Sequence, residues 1–133
     1  MRGLETACIR ILAAVIGCGC LVSTVWSHGV DDSHRDRLEQ AIEPGDVYEL
    51  CLVITPEQQL HYAFTATDKL DFNIHYHANH EVVYPVPEQR TAAAGATFAA
   101  ESEQEYCLMW TNPTSGEVML SVDYEKTPAV TGH

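Results

Sequence analysis

Five stretches of this chain alternate apolar and polar residues with a period of two, and that pattern limits the fold more than any other feature. In "VYELCLVI" (47–54), Tyr48, Leu50, Leu52 and Ile54 share one face. Leu60, Tyr62, Phe64 and Ala66 do so in "QLHYAFTA" (59–66), and Leu70, Phe72, Ile74 and Tyr76 in "LDFNIHYH" (70–77). Tyr106, Leu108 and Trp110, then Val118, Leu120, Val122 and Tyr124, repeat the pattern. A strand turns successive side chains to opposite faces, so each stretch reads as a strand with one buried and one solvated face. "TPEQ", "ATDK" and "NPTSG" separate them as turns. "VVYPV" (82–86) and "ATFAA" (96–100) add two shorter strands, with Pro85 and Pro87 suited to an edge or a strand end. The expected fold is all-β: an antiparallel β-sandwich of about seven short strands. "TAAAGA" (91–96) reads as a flexible loop. "DSHRDRLEQAIEPGD" (32–46) reads as one short helix or an irregular segment, capped by Asp32 or Ser33 and stopped by Pro44-Gly45.

The first residues belong to a different kind of sequence. Arg2 and Arg10 precede the uncharged run "ILAAVIGCGCLVSTVW" (11–26), and polar text follows Ser27. This is the pattern of a secretory signal peptide, with an apolar run shorter than the roughly 20 residues of a spanning helix. A retained membrane anchor is the alternative, and "VIGC" (15–18) also fits a lipobox with Cys18 as the lipidated residue. The expected division is therefore 1–27 signal peptide, 28–45 polar segment, 46–126 sandwich domain and 127–133 tail. The expected location is periplasmic or secreted, or membrane-anchored through the N-terminus.

The whole chain has a net charge of −12. Cleavage after Ser27 leaves 5 basic and 18 acidic residues. Nucleic-acid binding needs clustered Lys and Arg and is excluded as an expectation. An acidic surface attracts cations. Of five cysteines, only Cys51 and Cys107 lie beyond the signal region. An even pair in an exported domain reads as one disulfide, closing a loop of about 56 residues and worth roughly 3–4 kcal/mol. A pair of thiolate metal ligands is the competing reading.

The order "ELCLVI", "HYAFTATDKLDFNIHYHANHEVVYPV", "GATFAA", "EYCLMWTN" and "EVMLSVDY" resembles the GOLD domain of the emp24/p24 family over residues 46–125. The most specific piece is Tyr106-Cys107 followed by Trp110, Thr111 and Asn112. The resemblance implies a β-sandwich, a Cys51–Cys107 disulfide and protein binding. No segment here matches the coiled coil and membrane helix of that family, so cargo sorting is not implied.

Histidine is the chemistry this sequence adds. His75 and His77 share the outward face of 70–77, about 6.6–7 Å apart along the strand. A hairpin through Thr67-Asp68-Lys69 that matches Phe64 with Phe72 would set His61 opposite His75. His61, His75 and His77 would then form a triangle, with His80 as a fourth ligand from the following turn. Three imidazoles suit Zn²⁺ or Cu²⁺, with Cu²⁺ favoured for nitrogen ligands, and Met109 would favour Cu⁺. Histidines on a solvated sheet face, or a proton-sensing surface, are the other readings. His28 as a new N-terminus, with His34 nearby, is a further copper-binding arrangement. No G-x-S-x-G, phosphate loop or H-E-x-x-H occurs. The expected function is therefore non-catalytic: an exported sandwich that binds copper or zinc for sequestration or delivery. The alternative is a protein-interaction module of the cell envelope without metal.

Overall fold

A computed structural model describes residues 34–130. The signal peptide, the Cys18 lipobox and the His28 terminus lie outside the described residues. Six strands follow in order: β1 His34–Ile42, β2 Val47–Ile54, β3 Gln58–Ala78, β4 Glu81–Ala99, β5 Gln104–Thr111 and β6 Val118–Pro128. All pairings are antiparallel. The path β1-β6-β3-β5-β2 has β4 added on β3.

The long hairpin β3–β4 explains how one sheet makes two layers. The first half of β3, residues 58–66, pairs with β6. Residues 71–75 pair with β5. β4 accompanies both halves, and between Thr65 and Leu70 its register shifts. Extra residues on one strand bend and twist a ladder. Here they fold β3 over, so that layer one holds β1, β6 and the early half of β3, and layer two holds β2, β5 and the late half. Side chains replace ladder bonds at the bend: the Met119 amide donates to Thr67 Oγ1 at 2.9 Å, and the Lys69 amide to Asp68 Oδ1 at 2.7 Å.

The alternating faces meet between the layers. Leu60, Tyr62, Phe64, Val118, Leu120 and Val122 are buried on one side; Leu70, Phe72, Ile74, Tyr106, Leu108 and Trp110 on the other. Phe64 crosses the gap, with ring centroids 4.8 Å from Phe72 and 5.5 Å from Trp110. Such aromatic pairs add about 0.5–1.5 kcal/mol beyond the area they bury. Every apolar face read from the sequence faces this core, and the fold is a β-sandwich-like, all-β antiparallel structure.

The element boundaries differ from the expectation at three places. Residues 59–66 and 70–77 are one strand, so no hairpin exists at Thr67-Asp68-Lys69. The chain instead reverses at Asn79 and His80, whose φ values of 50° and 67° are those a tight two-residue hairpin requires. "VVYPV", "TAAAGA" and most of "ATFAA" join in β4, so 91–96 is strand and not loop. Residues 34–42 form β1 rather than a helix. Leu38 and Ile42 sit four apart, a spacing that suits either structure, and pairing opposite Val122 and Val118 decides for the strand.

Candidate functional site

The outward face of layer two carries the chemistry. On β2 it presents Glu49 and Cys51, on β5 Cys107 and Met109, on β3 Asn73, His75 and His77. Register places Cys51 opposite Cys107, His75 opposite Cys107, and Asn73 opposite Met109. Cys51 and Cys107 form a disulfide with a Cα–Cα separation of 4.0 Å. It joins neighbouring strands within one layer, directly beside His75.

His75 lies on the face the sequence assigned to it, yet it is only 4% exposed. The disulfide borders it, and the Tyr84 and His77 rings lie 5.8 and 5.3 Å away by centroid. His75 Nδ1 is 2.9 Å from Asn73 Oδ1. An amide oxygen only accepts, so Nδ1 carries the proton and a neutral ring keeps its lone pair on Nε2. That atom is 3.7 Å from Glu49 Oε1. This is too long for a hydrogen bond. It is close to the span of about 3.4–3.6 Å between nitrogen and oxygen ligands on one tetrahedral or trigonal ion. Asn73 is fully buried, and its Nδ2 has no hydrogen-bond partner. A buried orphan donor costs about 1–3 kcal/mol, so the sheet holds an unsatisfied polar group at the back of this site.

The histidines therefore divide. His75 and His77 are brought together. His61 is not with them: it sits on the same strand as His75, on the outward face of layer one, opposite Thr97 and Glu125. The sandwich core separates the two faces. His61 Nδ1 lies 2.8 Å from Thr97 Oγ1 and Nε2 3.0 Å from Thr127 Oγ1, so both ring nitrogens are already occupied. His80 is exposed in the β3–β4 turn. Among the described residues, Glu49, Cys51 and Cys107 form the group of three metal-ligating types whose ligand atoms lie within 4.8 Å of one another. Both sulfurs in it are spent on the disulfide.

Glu49 is the site residue the sequence reading missed. The signal for it was present: it shares the odd-numbered outward face of 47–54 with Cys51, and Cys51 was already joined to Cys107 and hence to that face of the sheet.

No protein-family model and no curated protein matches the chain. Among solved structures, the chain is similar to the solution NMR structure of a de novo designed double-stranded beta-helix, with a TM-score of 0.40 and 12% identity over 67% of this chain and 97% of that one. A likeness at this level carries no argument about fold family or function.

Proposed function

We propose that the chain is an extracytoplasmic, non-catalytic binding module that holds a transition-metal ion, copper or zinc, on the outward face of layer two. The ligands are His75 Nε2, Glu49 and His77, and the role is sequestration or delivery. The observation that carries this reading is the 3.7 Å approach of Glu49 to His75 Nε2, with the His77 ring alongside. Asn73 supports it by fixing the His75 tautomer, as outer partners of metal-bound histidines commonly do. The acidic balance of the chain raises the local cation concentration. The disulfide is consistent with an oxidising compartment.

The test is titration of the disulfide-intact protein with Cu²⁺ and Zn²⁺, following heat and, for copper, nitrogen hyperfine structure by electron paramagnetic resonance. Uptake should fall with His75→Ala, His77→Ala and Glu49→Gln, and remain with His61→Ala. No uptake below roughly millimolar metal, the weak end of the affinity scale, would sink the proposal.

A second reading, a GOLD-like interaction module, has one observation of its own. Val53, Val82 and Tyr84 are 49%, 42% and 50% exposed on this same face. Tyrosine beside aliphatic residues is the composition of an interface core. Val53→Ser with Val82→Ser should then abolish partner capture while leaving metal uptake intact.

A further inference from the structure

The disulfide is more than a border to His75. Cys51 is exposed, Cys107 is His75's direct cross-strand neighbour, and Glu49 has a carboxylate oxygen within 4.8 Å of both sulfurs. The same carboxylate faces His75 Nε2 at 3.7 Å. Glu49 thus links two cysteines and a histidine: its carboxylate lies near both sulfurs and near His75 Nε2, on three adjacent strands. Oxidation keeps the two cysteines bonded to each other.

We infer that reduction of Cys51–Cys107 turns this face into a Cys₂-His-Glu site for Zn²⁺. An external dithiol supplies the electrons. Its thiolate attacks the exposed Cys51 sulfur, and Cys107 leaves as a thiolate that takes up a proton. The second thiol of the reductant then displaces Cys51 and closes its own disulfide. One S–S bond is lost here and one formed in the reductant, and two S–H bonds appear on the chain. Zn²⁺ then binds both sulfurs as thiolates, with the two protons released to solvent. Thiolate ligands at about 2.3 Å and a tetrahedral angle need the sulfurs roughly 3.8 Å apart, a separation that rotation of two side chains supplies. His75 Nε2 and Glu49 complete the four. Asn73, accepting from His75 Nδ1 at 2.9 Å, holds the ring with its free nitrogen toward the ion.

This inference shares His75 and Glu49 with the site proposed above but does not use His77, so the two readings fail separately. The full chain is reduced under anaerobic conditions with a phosphine, and Zn²⁺ and Co²⁺ are added to reduced and disulfide forms. The reduced form should bind one Zn²⁺ per chain. With Co²⁺ it should show thiolate-to-cobalt charge transfer, which the disulfide form, with no thiolate to offer, should not. His75→Ala should weaken Zn²⁺ binding by reduced protein by at least 10- to 100-fold, the scale of loss on removing even an outer partner. His77→Ala should leave the reduced site unchanged while removing metal from the disulfide form. Cys51→Ser with Cys107→Ser should lose the charge-transfer band; alkylating the reduced thiols of the native chain makes the same test where that variant does not fold. Absence of Zn²⁺ uptake on reduction overturns the inference. So does equal Zn²⁺ affinity of the reduced chain in concentrated urea, or an unchanged affinity in His75→Ala.

Discussion

Replacing Cys51 and Cys107 together with alanine should cost about 4 kcal/mol, and the size of the loss follows from where the bond sits in the chain. The two cysteines are 56 residues apart. Closing a loop of that length removes about 14 cal/mol/K of chain entropy from the unfolded state, or about 4 kcal/mol at 25 °C. The loop contains all of β3 and β4, the hairpin on which both layers are built. Native packing changes little by comparison, because Leu108 and Trp110 remain buried on the opposite face of β5. A domain of this size has a total stability of about 5–15 kcal/mol, so the variant should fold but with a much reduced margin. The assay is urea denaturation followed by circular dichroism. With a slope of about 2 kcal/mol per molar, the midpoint should fall by about 2 M. The slope should also rise slightly, since the uncrosslinked unfolded chain is more expanded. A midpoint shift below about 0.5 M, under about 1 kcal/mol at that slope, would refute the reasoning. It would mean that the unfolded chain already holds residues 51 and 107 close without the bond.

Other perturbations test separate parts of the structure. Phe72→Ala removes a fully buried ring in contact with Tyr62, Phe64 and Trp110, and should cost about 3–5 kcal/mol in the same denaturation experiment. Asn112 is fully buried; its Nδ2 donates to the Ile42 and Gly116 carbonyls, and its Oδ1 accepts from the Thr114 amide and hydroxyl. Asn112→Asp should destabilise by about 2–3 kcal/mol by setting an acceptor against two carbonyls, more at pH 7 than at pH 4, as thermal melts at the two pH values would show. Arg90 holds the Asp71 carboxyl below its ordinary value of 3.8, chiefly through hydrogen bonds of 2.7 and 2.9 Å and then by its charge. A lowered folded value means stability that is present above the unfolded pKa and lost as pH falls through the folded one. Acid titration of Asp71→Asn should therefore show less loss below about pH 4 than the native chain, and equal slope there would remove the pair from the account.

The core was legible because its signal is local and repeated. Tyr62, Phe64, Phe72, Ile74, Leu108, Trp110 and Val122 each follow the two-residue period, and burial on one face leaves that period no other phase. Chain reversal was not legible to the same degree. The even-numbered phase runs from Leu60 to Tyr76 with one interruption, the exposed Asp68, and one bent strand and two paired strands both satisfy it. Asp68 supplies a turn signal at the joint, but Thr67-Asp68-Lys69 has no glycine, asparagine or proline beside it, whereas Asn79 in the true turn readily takes a left-handed conformation. Moving the turn from 67–69 to 79–80 leaves every core residue in place, but it carries His61 from across His75 to the far side of the sandwich. In a sheet protein the core therefore constrains the faces, and only the turns constrain which outward residues meet. A candidate site built from outward residues is as secure as the turn that joins its strands. His75, Glu49, Cys51 and Cys107 avoid that weakness, because the Cys51–Cys107 bond pins β2 to β5 and the register of β5 against β3 sets His75 opposite Cys107.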